Sequence, residues 1–220
     1  MKPILFSTPM VQAILAGRKT QTRRVITDRN SVSGIKLSEL VFDQLIIETG
    51  KENCQYFKAA CMKDETVHRV FPRWEPGDVF WVREKFKKLY NCKTGEFACY
   101  WHYADMPEDF HQQQPQSKWM PSIHMPFEAC RLFLKIKSIR VERLQDITEE
   151  DVKAEGVEFV DDRGIIVYKS YLAHEPYHWS IATARKSFET LWQKINGIES
   201  WNANPWVWVI EFERTEKPTT

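Results

Sequence analysis

The chain has 220 residues, with 31 lysines and arginines against 30 aspartates and glutamates, and a formal net charge of +1. This length is enough to bury a core, and the near-zero charge excludes a whole-protein field that would attract nucleic acid or acidic lipid, so a polyanion would need a local patch. Aromatic residues make up 13% of the sequence, which predicts a well-packed β-rich core or rings that stack on a flat ligand.

The N-terminal residues predict a strand followed by a capped helix. PILF (3–6) has the character of a short strand, and STPMVQAILAG (7–17) has a serine or threonine N-cap, a proline in its first turn and a glycine just past its end. Met10 and Ile14 are spaced i,i+4 and give this helix one apolar face.

Further strands are predicted where apolar and polar residues alternate or where short apolar runs occur. These segments are 40–48, 75–86, 97–104, 129–144, 164–171 and 204–214. The segment 111–122 has the polar composition of a surface loop.

Two more helices are predicted from capping signals and apolar periodicity. The first covers 146–157, where Thr148 and Asp151 match a capping box. The second covers 183–197 and places a set of apolar side chains on one face. These are Phe188, Leu191, Trp192 and Ile195. Because strands and helices do not alternate regularly, we expect an α+β domain with a mixed, barrel-like sheet and about three helices.

The cysteines and the N-terminus predict a reduced protein. MKPILFSTPM has too short an apolar segment for a secretion signal, and no apolar run approaches the about 20 residues of a membrane span. The cysteines are odd in number: Cys54, Cys61, Cys92, Cys99 and Cys130. We therefore expect a cytoplasmic protein without membrane contact, whose thiols are buried and inert.

One short motif resembles a zinc site. HEPYH (174–178) matches the H-E-x-x-H pattern, which needs two histidines on one helix face, but Pro176 opposes a continuous helix. The cysteine spacings are also wider than those of a zinc knuckle. We expect a polar loop at 174–178, and neither a metal nor a cofactor.

The basic segment AGRKTQTRR (16–24) has three possible interpretations. It could be a solvated turn whose cations complement the end of the preceding helix. Arg23 and Arg24 could instead clamp phosphates. Alternatively, Lys19 could act as the base for a threonine nucleophile, which requires a lysine pKa lowered by burial or by neighbouring cations.

Glu155 is unusual because it lies in the last turn of a predicted helix, directly before Gly156. A carboxylate there faces the negative end of the helix dipole, at a cost of about 0.3–1 kcal/mol. It is either an exposed residue that tolerates this cost, or it is held there to meet a cation such as Lys19 or to transfer protons.

Four blocks of the sequence resemble the ASCH domain family of the PUA-like superfamily, especially the ASCH proteins of bacteriophages and prophages. They are ILAGRKTQTRR, PGDVFWVRE, ITEEDVKAEGV and WVWVIEFE. The resemblance implies a small mixed β-barrel flanked by helices, with a cleft for RNA or a modified base. It covers a single domain over 1–220 and leaves 27–72, 87–117 and 158–180 as insertions.

The resemblance also implies a set of catalytic residues. A compact bacterial ASCH enzyme hydrolyses the amide of N(4)-acetylcytidine with a lysine, a threonine and a glutamate, and the matching positions here are Lys19, Thr22 and Glu155. Lys19 and Thr22 are three residues apart, so a regular strand would direct them to opposite faces. The pairing therefore requires a turn or a bulge after Gly17.

Candidate substrate-binding residues surround these positions. Arg23 and Arg24 would hold phosphate, and Arg83 and Glu84 lie on the strand that the resemblance places beside the turn. Trp81 shares a face with Arg83 and is either a core residue or a platform for a stacked base. Weaker candidates of the same kind are Trp119, Asn204 and Trp206.

These residues support three hypotheses of function. The first is an amidohydrolase acting on an acylated nucleoside or modified base, with Thr22 as nucleophile, Lys19 as base and Glu155 assisting. The second is a non-catalytic module that binds RNA or another single-stranded nucleic acid in the same cleft. The third is a metal-independent ribonuclease. Release of acetate, salt-sensitive binding without turnover, and RNA cleavage distinguish them.

Overall fold

The computed structural model of the protein describes residues 1–27, 40–41, 48–49, 55–61, 67–70, 72–107, 110, 118–173, 179–181 and 183–218. These residues form a mixed α+β structure that is mostly sheet, as the sequence predicts. The chain divides into two compact units. The first is Met1–Lys19, Gly77–Ile136 and Phe212–Thr220, and the second is Thr20–Pro76 and Lys137–Glu211.

The predicted helices and most predicted strands have counterparts in the structure, but the strands at 21–25, 55–61, 67–70, 86–90, 159–162 and 179–181 were not predicted. The strands are β1 (Lys2–Leu5), β2 (Gln21–Val25), β3 (Leu40–Val41), β4 (Glu48–Thr49), β5 (Gln55–Cys61), β6 (Val67–Val70), β7 (Val79–Arg83), β8 (Phe86–Tyr90), β9 (Phe97–His102), β10 (Phe133–Arg143), β11 (Phe159–Asp162), β12 (Ile165–Lys169), β13 (Trp179–Ile181) and β14 (Trp206–Thr215). The α-helices are α1 (Thr8–Leu15), α2 (Glu149–Ala154), α3 (Ala184–Asn196) and α4 (Glu199–Asn202). No helix in the described ranges combines the length and hydropathy of a membrane span.

The first unit is organised around β7. On one side β1 runs parallel to it, with Ile4 opposite Val82. On the other side the first residues of β10 run antiparallel to it, with Phe133 opposite Trp81. Because one pairing is parallel and the other antiparallel, the sheet is mixed, as predicted.

The second unit places β14 between β10 and β2, so that β2 is an edge strand of its sheet. β2 runs antiparallel to β14, with Thr22 opposite Ile210. Buried apolar side chains from β12, β14, the helices and the residues flanking α2 form the core of this unit. They are Leu144, Ile147, Val152, Val157, Tyr168, Ala184, Phe188, Trp192, Trp201, Val207 and Val209. This core includes Val152 of α2 and so anchors the helix that ends at Glu155.

The segments expected as insertions contain small sheets of their own. In 27–72, β5 pairs with β3, β4 and β6. In 87–117 the main feature is the β8–β9 hairpin, and in 158–180 it is the sheet β11-β12-β13, whose last strand ends at Ile181. Each segment thus pairs its strands locally, and its status as an insertion stays a prediction.

Three details differ from the expectations. The described strands do not close into a barrel, since β1 and β2 stand at the two ends of the strand order. A short fourth helix, α4, follows α3. Ile195 is 53% exposed, whereas Phe188 and Trp192 are buried, because the last turn of α3 extends beyond the core that its middle turns cover.

The prediction of buried thiols is wrong for two cysteines. Cys92 and Cys99 are exposed because they belong to the β8–β9 hairpin. Cys130 is half-buried, and burial raises the pKa of its thiol. The HEPYH motif at 174–178, Cys54 and most of the predicted loop 111–122 and strand 40–48 lie outside the described residues.

Candidate functional site

The basic segment begins with a turn rather than a strand. Gly17 has φ +73°, a conformation that glycine adopts without strain. The backbone N–H of Lys19 then donates to the carbonyl of Ala13 at 3.1 Å, and β2 begins only at Gln21. The turn or bulge that the Lys19–Thr22 pairing requires is therefore present. Lys19 itself is only 3% exposed.

Thr22 lies in β2 and is also buried, at 3% exposed. Just before this strand, the backbone N–H of Thr20 donates to the carbonyl of Ala154 at 2.8 Å. Because Ala154 is the last residue of α2, this bond holds the start of β2 against the end of the helix. Glu155, the C-cap that directly follows Ala154, therefore lies close to the start of β2.

Glu155 is held by a cation, but the cation is Arg23. Thr148 caps the start of α2 by accepting a hydrogen bond from the N–H of Asp151, and Glu155 forms the C-cap, as the sequence predicts. The Glu155 carboxylate is 6% exposed and accepts a hydrogen bond from Nη1 of Arg23 at 3.3 Å. This ion pair offsets the unfavourable position of the carboxylate at the helix C-terminus.

Arg23 binds three carboxylates at once. Besides Glu155, its Nη2 donates to Asp151 at 2.9 Å and to Glu142 at 3.1 Å. The Arg23 side chain is 1% exposed, and its guanidinium lies 6.0 Å from the ring centroid of Phe188. Both terminal nitrogens of Arg23 are therefore directed at groups of the protein itself.

Arg140 extends this cluster toward the surface. Its guanidinium donates to Asp151 at 2.7 Å and also to Glu142 and Glu211. Burial alone would raise the pKa of Asp151, but the charges of Arg23 and Arg140 and the hydrogen bonds from them outweigh it, so the pKa lies below its ordinary value. We call Arg23, Arg140, Glu142, Asp151, Glu155 and Glu211 the β2 ion cluster.

The side chains of β2 alternate between two faces. Arg23 shares a face with Val209, its pairing partner, which belongs to the core of the second unit. Thr22 and Arg24 point to the other face. Burial lowers the pKa of Arg24, and the negative charge of Glu155 opposes this shift. Glu155 thus accepts a hydrogen bond from Arg23, on one face of the edge strand β2. Its charge also acts on Arg24, on the other face.

Asp151 gives the β2 ion cluster a predictable response to acid. The pKa of Asp151 in the folded protein lies below its ordinary value of 3.8. The stabilisation that the ionised Asp151 carboxylate provides is therefore fully present above pH 3.8, and it is lost as the pH falls through the folded-state pKa. We expect Asp151→Asn to lower the free energy of unfolding at pH 7 by about 1.5 kcal/mol or more. As the pH is lowered, the free energy of unfolding of this variant should also fall less steeply than that of the wild type, as measured by urea unfolding from neutral pH to about pH 2.5.

Asp162→Asn is the matched control, because the Asp162 side chain is 76% exposed and lies 3.8 Å from an exposed arginine. Its free energy of unfolding should stay within about 0.5 kcal/mol of the wild-type value at every pH. If the free energies of unfolding of Asp151→Asn and the wild type changed in parallel with pH, the assigned role of Asp151 would be contradicted.

In the first unit, Trp81 packs as a core residue. It is buried and meets the ring of Phe127 edge-on, with 5.4 Å between centroids. The guanidinium of Arg83 lies 4.6 Å from the Trp81 ring centroid, so the two share a face as the alternation predicts. Nη1 of Arg83 donates to the carbonyl of Ile123 at 3.2 Å. These contacts agree with the packing interpretation of Trp81.

Glu84 is fully buried and bound by a residue that the sequence analysis missed. Nε and Nη2 of Arg131 donate to its two carboxylate oxygens at 2.9 and 3.1 Å, while Nη1 donates to Asp105 at 2.6 Å. The backbone N–H of Glu84 donates to Sδ of Met125 at 3.2 Å. This bidentate pair neutralises the buried charge, and it gives Glu84 a structural partner.

The three weaker candidates have local partners. Trp119 meets the ring of Tyr103 edge-on at 5.0 Å. Asn204 has φ +40°, and its Oδ1 accepts a hydrogen bond from the N–H of Gln145 at 2.9 Å. The Trp206 ring lies 4.1 Å below the guanidinium of Arg143, which also donates to the carbonyl of Asn204. Asn204 and Trp206 thus share one partner at the start of β14.

Several members of the β2 ion cluster were absent from the sequence-based candidates. Arg140 and Glu142 stand two residues apart in β10 and so share a face, and Asp151 stands one helical turn before Glu155. This spacing was the available signal. It did not indicate that these residues would converge on Arg23, which lies more than one hundred residues away in the chain.

Comparisons of the chain with models of known protein families, with curated proteins and with solved structures found no match. Within the described ranges, no group of three or more histidine, cysteine, aspartate or glutamate side chains is arranged to hold a metal ion.

Proposed function

We propose that the protein is a PUA-like, ASCH-type amidohydrolase that acts on an acylated nucleoside or related modified base such as N(4)-acetylcytidine. One observation carries the proposal: Lys19, Thr22 and Glu155 are all at least 93% buried. Lysine and glutamate are rarely fully buried unless they are paired, and Glu155 is paired with Arg23. These are the three positions that match the lysine, threonine and glutamate of the compact bacterial ASCH enzyme.

The proposed reaction begins with an attack by the Thr22 hydroxyl on the acyl carbonyl. Lys19 accepts the hydroxyl proton, a step that requires its neutral form. The C–N bond then breaks, and the departing amine takes up a proton through Lys19 or Glu155. Water adds to the acyl-threonine ester, which releases acetate and restores the hydroxyl.

The β2 ion cluster supports different roles for the two neighbouring arginines. Arg23 holds the Glu155 carboxylate with Nη1 and acts as a positioning residue in this proposal. Arg24 lies on the same face of β2 as Thr22, so we assign it the role of the cation that meets the substrate or the developing oxyanion. We also place the reaction in the cytoplasm, with a nucleoside or RNA as the partner.

The decisive experiment is a direct assay of acetate release. Purified protein should release acetate from N(4)-acetylcytidine, supplied as the free nucleoside and within a short RNA, with no added metal. Salt-sensitive RNA binding without any acetate release would overturn the amidohydrolase and favour the binding module. Metal-independent cleavage of the RNA chain would favour the ribonuclease.

A further inference from the structure

The β8–β9 hairpin presents aromatic rings to solvent. Tyr90 is 58% exposed, Phe97 is 51% exposed and Trp101 is 43% exposed. Single exposed apolar residues are common, but a group of large rings on one short hairpin is not, and such groups mark interaction surfaces. The hairpin belongs to the segment 87–117, outside the blocks that resemble the ASCH family.

The rings on one face of the hairpin form a continuous ladder. Tyr90 lies 6.2 Å from Phe97, Phe97 lies 4.8 Å from Tyr100, and Tyr100 lies 6.1 Å from Phe86, measured between ring centroids. Phe86 is fully buried in the core of the first unit. The ladder is therefore anchored at the base of the hairpin, and its outer rings are held in place without being covered.

The charge of the hairpin favours an anionic partner. Residues 86–102 contain Lys87, Lys88 and Lys93 against the single carboxylate of Glu96. Lys88 stands directly opposite Tyr100 of the ladder in the strand register, whereas Lys87 and Trp101 pair on the other face. The hairpin therefore offers cations beside exposed rings, which is the combination that single-stranded nucleic acids use, with phosphates on lysines and bases on aromatic faces.

A second hairpin in the chain shows that exposed apolar residues alone do not produce this combination. In β11–β12, Phe159 and Ile165 are exposed, but Asp161 and Asp162 at the end of β11 balance Arg163 and Lys169, so residues 159–169 carry no net charge. Without an excess of cations, this neutral hairpin offers phosphates no net attraction. It serves as an internal comparison for the basic one.

We propose that the β8–β9 hairpin is a binding surface for single-stranded nucleic acid, distinct from the residues assigned to hydrolysis. Tyr90 and Phe97 stack on unpaired bases, and Lys88, on the same face, contacts a phosphate. A duplex hides its base faces, so it is bound more weakly than a single strand. The surface would hold a polymer independently of any turnover.

The test is fluorescence anisotropy with the full chain and a labelled RNA of about 12 nucleotides, single-stranded or annealed to its complement. The single strand should bind, and its affinity should fall steeply between about 50 and 200 mM salt. Phe97→Ala should weaken binding roughly tenfold, and Lys88→Ala should reduce the slope of log affinity against log salt by about 0.7.

Phe159→Ala in the neutral β11–β12 hairpin is the matched control and should bind like the wild type. Both phenylalanines are about half exposed, so both variants should fold, which circular dichroism checks. Equal affinity for the duplex, or binding unchanged by Phe97→Ala, would overturn the proposal. Self-association that Phe97→Ala abolishes, without RNA binding, would assign the hairpin to a second copy and also overturn it. None of these outcomes depends on acetate release.

Discussion

Arg23→Leu should lower the free energy of unfolding by about 3–5 kcal/mol, since it removes one partner of a buried ion pair and leaves the other charge uncompensated. The Arg23 side chain is 1% exposed and that of Glu155 is 6% exposed. Arg140 still binds Asp151 and Glu142 in the variant. The loss should therefore come mainly from Glu155, as measured by urea unfolding at neutral pH.

A double variant separates the unpaired charge from other effects of the substitution. Arg23→Leu combined with Glu155→Leu should recover much of the lost stability, because replacing both members of a buried pair with apolar side chains is often neutral. Arg140→Leu is the comparison on the same cluster. Its side chain is 27% exposed, so its loss should be smaller. A loss below about 1 kcal/mol for Arg23→Leu would contradict the structural role of Arg23.

Thr22→Val should reduce acetate release by about three orders of magnitude or more, as expected when the nucleophile of a catalytic group is removed. Valine keeps the branched shape of threonine and lacks only the hydroxyl. The variant should therefore stay folded in a site where Thr22 is buried. Thr22→Ser retains a hydroxyl and should keep measurable turnover. The measurement is initial rate at saturating N(4)-acetylcytidine.

Thr20→Val provides the matched control. Thr20 lies two residues earlier and is exposed. Its backbone N–H, not its hydroxyl, bonds to the carbonyl of Ala154. It should keep nearly full activity, whereas Lys19→Met should lose activity as Thr22→Val does. Equal rates of acetate release for Thr22→Val and Thr20→Val would show that Thr22 is not the nucleophile. This result would not contradict the fold.

The β2 ion cluster shows how stability and activity can be distinguished in this protein. Arg23 variants should be defective in both, since Arg23 stabilises the second unit and positions Glu155. Thr22→Val should be defective in activity alone. The hairpin variants should change nucleic-acid affinity and leave hydrolysis of the free nucleoside unchanged.

Local structure was predicted well because the interactions that form it join residues close together in the chain. The cap of α2 at Thr148, the stop after α1 at Gly17 and the strand from Val79 each depend on residues within about four positions. The structure confirms all three. The ASCH resemblance and the single-domain interpretation remain predictions.

The partners of charged residues were predicted poorly. Glu155 was expected to meet a cation, and it does, but the cation named was Lys19 and the structure supplies Arg23. Arg131, the partner of Glu84, was not among the candidates. The sequence indicates that a charge in a buried segment needs a partner. It does not indicate which of many arginines will be near enough.

The sequence by itself therefore indicated the mixed α+β class, the turn after Gly17 that separates Lys19 from the strand containing Thr22, and the short capped helix that ends at Glu155. Only the tertiary structure decided that three carboxylates converge on Arg23 and that the β8–β9 rings remain uncovered. The reason is range: caps and alternation follow from neighbouring residues, whereas the desolvation of a charge or a ring depends on segments that folding brings together.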